Sequence, residues 1–355
     1  MVGVLEFGMA KISLVYVLVF FMIFSMTTVF NNTVSFDSGG DVSTAAFVLD
    51  EGEYVLFGKY DDQPILWKCA GVDENGALMV STKILCRKPY DVYSMENGSH
   101  VRRAIYGGLI GGSNYWGDSN IRSWLNSDAQ AGDVVWLCGN PPAKDNIIHS
   151  SYGQYDYNSY DDEKGFLADG NFTQTERDMI KVVTQKSLLD KLDADLAVGG
   201  DKDAWGSGGI SMDVDNFIKE HNDNICYEYT IDKVFLLDIK QYGYLSKQEV
   251  KDKKDKNDIA NIGNIDDIND ISDTSDIGEA RYWLRTPFGR DYQYSVMDTY
   301  YSGYYVFTSD FDYGDVLAET AYMNFGVRPA FYFKETVAKI KSGSGTKSDP
   351  YVVGG

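Results

Sequence analysis

The stretch RYWLRTPFGRDYQYSVMDTYYSGYYVFTSDFDYGDVLAETAYMNFGVRPAFYF, residues 281–333, is framed by two brackets. It opens on Tyr282, Trp283, Leu284, Arg285, Thr286 and Pro287 and closes on Gly326, Val327, Arg328, Pro329, Ala330 and Phe331. Ten of the chain's 26 tyrosines fall inside it. Tyrosine gives wide, stiff, amphipathic contact area at low entropic cost, which suits a recognition surface; a conventional core is richer in aliphatics. The brackets read as structural: paired strands with Trp283 in the core, Arg285 and Arg328 ion-paired to an Asp, and Pro329 beside them. Tyr300–Tyr301 and Tyr304–Tyr305 are adjacent pairs, so in a strand one member of each faces outward. Outward phenols mixed with carboxylates suit a protein or glycan ligand through stacking and hydrogen bonds. The candidate ligand-binding residues are therefore Tyr292, Tyr294, Tyr300, Tyr301, Tyr304, Tyr305, Asp310, Asp312 and Tyr313.

Upstream, Glu53-Tyr-Val-Leu-Phe-Gly reads as a strand, Lys59 to Gln63 as a turn and Pro64 to Cys69 as the next strand. Asp73-Glu-Asn-Gly makes a second tight turn before Ala77 to Ser81, which gives an antiparallel meander. Ser119 caps a short amphipathic helix whose one face carries Ile121, Trp124 and Leu125, with Trp124 a structural residue. Thr173 and Glu176 have capping-box spacing and open a second helix. Lys233 to Asp238 reads as a buried strand. Strands and helices do not alternate in a βαβ rhythm, so the fold class is α+β.

Residues 252–277 form a low-complexity insert in which isoleucine recurs every third position from Ile259 to Ile271. That spacing drifts off any single helix face and misses the strand period of two, so a solvated loop is expected. A calcium-stabilised loop is the alternative, though the Asp order and terminal Glu of an EF-hand are missing. Residues 335–355 read as a flexible tail, a spacer or terminal clip. At the other end, Ile12 to Phe30 carries no charge and follows Lys11, long enough to approach bilayer thickness. It reads as a signal-anchor, or a signal peptide if cleaved, between a short flank (1–11) and a polar linker (31–45). One domain then spans residues 46–334.

Net charge is −21, which argues against a nucleic-acid partner and against adsorption on anionic lipid. Four cysteines in an exported chain permit two disulfides or buried thiols. The three histidines are far apart and show no zinc-site spacing. Gly111-Gly-Ser-Asn-Tyr lacks the last glycine of a nucleophile elbow, and no Gly-Lys-Ser/Thr phosphate loop occurs. No cofactor is expected.

The motifs already quoted, together with Lys83-Ile-Leu, Lys88-Pro-Tyr and Phe172-Thr-Gln-Thr-Glu, keep one order along the chain. In that order and spacing they resemble an uncharacterised domain family of exported proteins from Gram-positive gut bacteria. Through Trp-Leu-Arg and Gly-Val-Arg-Pro, that family is distantly similar to the formylglycine-generating-enzyme and C-type-lectin-like fold. The resemblance implies a compact α+β unit with a small twisted antiparallel sheet, long loops and a C-terminal recognition face. In some lectin-like relatives a retroelement diversifies that face. The enzymatic version of the fold needs a cysteine pair near the C-terminal motifs, and no cysteine follows Cys226. The expected function is thus non-enzymatic recognition of a protein or glycan on the extracellular face of the membrane. A structural envelope module and a wall- or glycan-acting enzyme are the alternatives.

Overall fold

The computed structural model describes residues 48–92, 105–106, 109–110, 113–137, 160, 163–205, 213–255, 281–288, 305–309, 316–321, 323–334 and 338–354. Strands β1 (Tyr54–Tyr60), β2 (Gln63–Asp73) and β3 (Gly76–Ser81) form the expected antiparallel meander. The first turn is two residues long, with Asp61 and Asp62 both at positive φ (48° and 59°). Aspartate tolerates that region, and two such residues give the backbone twist that a hairpin needs. Just before it the β1–β2 register shifts between Leu56 and Lys59, at Gly58, whose φ is 62°. A Cβ at Gly58 would meet the Phe172 ring at 2.2 Å, so the bulge lets an aromatic press onto the backbone.

Strand β4 (Cys86–Pro89) follows, then two-residue strands β5 (Ile105–Tyr106) and β6 (Leu109–Ile110). Helix α1 (Asn120–Leu125) starts at Ser119, whose hydroxyl accepts from the Arg122 N–H. Helix α2 (Gln174–Met179) carries the full capping box between Thr173 and Glu176. It runs into β7 (Ile180–Lys181) and β8 (Val183–Leu188). After α3 (Val214–Phe217) come β9 (Tyr227–Asp232), β10 (Val234–Phe235) and α4 (Ile239–Asp255). The run from Lys233 to Asp238 is buried along most of its length, yet only two of its residues pair as strand. Leu237 instead accepts from the Arg285 N–H, and Asp238 opens α4. Helix α4 also claims the first four residues of the expected insert, and the rest of that insert lies outside the described residues.

The C-terminal third supplies β11 (Trp283–Phe288), β12 (Tyr305–Ser309), β13 (Val316–Thr320), β14 (Asn324–Val327), β15 (Ala330–Phe333), β16 (Lys339–Ser342) and β17 (Tyr351–Gly354). The main sheet has the order β10-β15-β3-β2-β1-β17-β16, with β7 also paired to β15. Its inner face is aromatic. Phe331 stacks on Phe57 (5.3 Å between centroids) and takes the edge of Trp67 (4.7 Å). Trp67 donates its indole N–H to the Phe57 carbonyl at 2.8 Å, so no polar atom of that ring is left unpaired in the core. Each such ring, once buried, contributes on the order of 2–3 kcal/mol by area alone.

Of the two roles expected for residues 335–355, spacer and terminal clip, the pairing of its strands matches the clip. Residues 339–342 and 351–354 are strands, and β17 runs parallel to β1 through Val55–Tyr351 and Leu56–Val352. Gly343 and Gly345, at φ of 95° and 78°, turn the chain back. The stretch reads as a spacer because its turn residues are small and polar, but its apolar end, β17, pairs along the edge of β1, and β16 adds outside it.

Residues Ala46–Gly355 form one compact unit, separate from Met1–Ala45. The apolar run 12–30 lies outside the described residues, and among those described no helix is long and apolar enough to cross a membrane. Cys69, Cys86 and Cys226 are free thiols, two of them buried, while Cys138 lies outside the described residues.

Candidate functional site

The first bracket is β11, and all six of its residues are buried. Trp283 is fully buried and donates to the Lys88 carbonyl at 2.8 Å, with Phe325 edge-on at 5.0 Å. Arg285 reaches Asp238 at 2.7 Å, the Gln241 side chain at 2.8 Å and the Leu236 carbonyl at 2.8 Å. Thr286 accepts from the Ile239 N–H. In the second bracket Arg328 donates to the Ser81 carbonyl (2.7 Å) and the Tyr282 hydroxyl (3.2 Å), and the Pro329 carbonyl accepts from Ser81 N–H. A parallel bridge, Tyr282–Gly326, joins the brackets directly. Trp124 is buried as well, its indole N–H on the Lys164 carbonyl. Each of these motif side chains makes its hydrogen bonds inside the fold, while the buried Arg285 Nε is left without one.

Of the candidate ligand residues, Tyr305 opens β12, where it pairs with Phe288 and Thr320. Tyr292, Tyr294, Tyr300, Tyr301, Tyr304, Asp310, Asp312 and Tyr313 lie outside the described residues. Their frame is described: a three-stranded sheet, β11-β12-β13, rooted on the buried bracket.

Two polar clusters carry no signal in the sequence. Lys88 is buried, ion-paired to Glu163, and sits over the rings of Trp124 (4.6 Å) and Tyr160 (4.9 Å). Tyr60 donates to the other Glu163 oxygen at 2.6 Å. Burial raises the Tyr60 and Tyr160 hydroxyls and pushes the Cys86 thiol beside them up to about 11. The thiol therefore stays protonated at neutral pH and is a poor nucleophile. A cation between aromatic walls, neutralised by one carboxylate, holds β4 in place. In the second cluster Asp232 is buried and accepts from the Arg122 Nε (2.6 Å), the Trp116 indole (3.1 Å) and the Thr230 hydroxyl (2.9 Å). Lysines and aspartates are normally exposed, so composition could not have marked either.

One group of tyrosines does face water. Register pairs Lys186 with Tyr229 and Thr184 with Ile231 across the β8–β9 ribbon, and side chains alternate between its faces. Tyr229 is 57 % exposed and Ile231 64 %. Tyr227 packs edge-on to Tyr229 at 5.6 Å, and the Lys186 ammonium lies 4.4 Å from the Tyr227 ring centre.

Among the described residues no group of three or more His, Cys, Asp or Glu side chains is placed to hold a metal ion. His221, the described histidine, contacts the Ala204 carbonyl through Nδ1. The expected calcium loop falls in the insert, outside the described residues beyond Asp255.

A mixed α+β unit is thus held together by buried brackets. Residues 101–335 match DUF6273, a domain of unknown function, and the chain belongs to that family. No curated protein and no solved structure matches it. The structural unit reaches past the matched residues, because β3, residues 76–81, lies directly between β2 and β15.

Proposed function

We propose that this chain is a non-enzymatic recognition module on the extracellular face of the cell membrane, anchored by residues 12–30 or secreted once they are cleaved. It binds a protein or glycan through the Tyr- and Asp-rich segment between the brackets. One observation carries this reading. Arg285, Arg328, Trp283 and Trp124 are all committed to internal bonds, so the motifs that frame the segment are scaffold. A segment rooted on a rigid frame, with stiff aromatics in its sequence, is the arrangement that recognition uses.

The resemblance in Trp-Leu-Arg and Gly-Val-Arg-Pro supports a C-type-lectin-like or formylglycine-generating-enzyme-like fold as the finer description. The absence of any cysteine after Cys226 argues against the oxidase chemistry of the latter. The test is the triple replacement of Tyr301, Tyr304 and Tyr305 by Ala in the full-length chain, read on arrays of glycans and surface proteins. Binding is expected to vanish while thermal unfolding stays unchanged. Unaltered binding rejects the placement, and turnover of wall or sugar substrates establishes an enzyme instead.

A further inference from the structure

We propose that the outer face of the β8–β9 ribbon is a second binding platform, for a short oligosaccharide carrying a ring carboxylate. It is separate in sequence from the segment between the brackets. The face is built by alternation: Thr184 and Lys186 on one strand, Tyr227, Tyr229 and Ile231 on the other, while Gln185, Ser187, Thr230 and Asp232 turn inward and are buried.

Three features select the ligand. Phenol rings offer flat apolar faces with a hydroxyl at the rim, which match the C–H face and the hydroxyls of a pyranose. Tyr229 is more than half exposed and is braced edge-on by Tyr227, so its ring is held in place before any ligand arrives. Charge comes next. The chain carries −21, yet no carboxylate lies among these five outward residues, and Lys186 is their one charge. That ammonium uses one N–H on the Asn222 carbonyl at 3.4 Å, and among the described residues no carboxylate is ion-paired with it. An ammonium has three donors, so two remain for a ligand anion. Size is the third. Four residue steps from Thr184 to Leu188 cover about 13 Å and the paired strands lie about 5 Å apart. A disaccharide or trisaccharide fills that strip, whereas a stable protein interface needs roughly 800 Å² per partner.

The experiment titrates the full-length chain, in mild detergent, with uronic- and sialic-acid oligosaccharides. Each is paired with its neutral methyl ester, and a polyglutamate peptide serves as the protein-like polyanion. The acidic sugars are expected to bind, and the esters to bind about tenfold more weakly once the charge is removed. Tyr229→Ala should lose roughly tenfold or more in affinity, as an exposed aromatic anchor does, and Tyr229→Phe should keep the stacking and most of the affinity. Lys186→Gln should weaken the acidic sugar and leave the ester unchanged. Circular dichroism of the variants, all changed at outward positions, reports that the fold is retained. Failure of every acidic sugar to bind overturns the proposal. So does binding that survives Tyr229→Ala, or polyglutamate binding that equals the sugars, which marks a general polyanion site.

Discussion

Arg285 on β11 holds Asp238, the residue before α4, at 2.7 Å, and through this contact the first bracket helps fix where the longest described helix begins. Asp238 and Gln241 also cap each other, the Gln241 N–H on Asp238 and the Asp238 N–H on the Gln241 side chain. The Arg285 guanidinium is almost wholly buried and Asp238 is about three-quarters so. Removing one partner of such a pair strands the other charge away from water. Arg285→Ala is therefore expected to cost about 3–5 kcal/mol, read as a lower urea midpoint at unchanged slope. Arg285→Lys should not restore it, because one ammonium cannot reach Asp238, Gln241 and the Leu236 carbonyl in a fixed fork.

The capping box at α2 has a second duty. Glu176 accepts from Thr173 N–H through one oxygen and from Gly58 N–H, in the β1 bulge, through the other. Thr173→Ala should lose about 1 kcal/mol, the ordinary value of a cap. Glu176→Ala should lose more, roughly 2 kcal/mol, because it also leaves the Gly58 donor without its acceptor. Equal losses in equilibrium unfolding would show that the Gly58 bond contributes nothing.

These caps explain what the sequence makes legible. Ser119, Thr173 and Glu176 act on atoms three residues away, and the Asp61–Asp62 turn joins strands that are neighbours in the chain. Signals that close over a few residues survive in a single sequence. Nonlocal choices do not. Nothing near Phe331 tells it to lie between β3 and β10, and nothing near Tyr351 points to Val55. The site divides in the same way. Trp283 and Arg328 are identifiable as scaffold from residue type and bracket, whereas the Lys88 cage depends on Glu163, 75 residues away, and Tyr60. The outward tyrosines of β9 are two in a six-residue strand, too sparse to stand out by composition.

The two thiols with raised pKa values set an alkaline limit. Burial pushes Cys86 up to about 11, and burial followed by the charge of Asp190 does the same to Cys226. A free thiol ionises near 8.5. Because the folded values are the higher ones, this contribution is complete below about pH 8.5 and is lost as pH rises through about 11. Stability should fall across that window, and the fall should flatten in the Cys86→Ala, Cys226→Ala double variant. At pH 8 both thiols should alkylate about a hundredfold more slowly than in the unfolded chain, as the scarcer thiolate requires. Peptide-level mass spectrometry reads this directly, and equal rates for folded and unfolded protein would refute it.

The tail gives the sharpest contrast between the two readings of the chain. If residues 335–355 were a spacer, their removal would change nothing in the folded unit. The structure instead lays β17 along β1, puts the Gly345 carbonyl on the Tyr54 N–H at 2.8 Å, and joins the Tyr351 hydroxyl to Glu53. Val353 and Ala338 are buried, and Tyr351 is half so. Truncation after Lys334 should therefore lower stability by about 3 kcal/mol, the order expected for uncovering a Val and part of a Tyr. It should also leave β1 as an open edge, whose unpaired N–H and C=O groups template association with other chains. Light scattering should rise with protein concentration in the truncated form. Tyr351→Ala, which keeps the backbone pairing, should lose only about 1–2 kcal/mol and should not aggregate, since the edge stays covered. Truncation with unchanged melting and no scattering would return the tail to the role of linker.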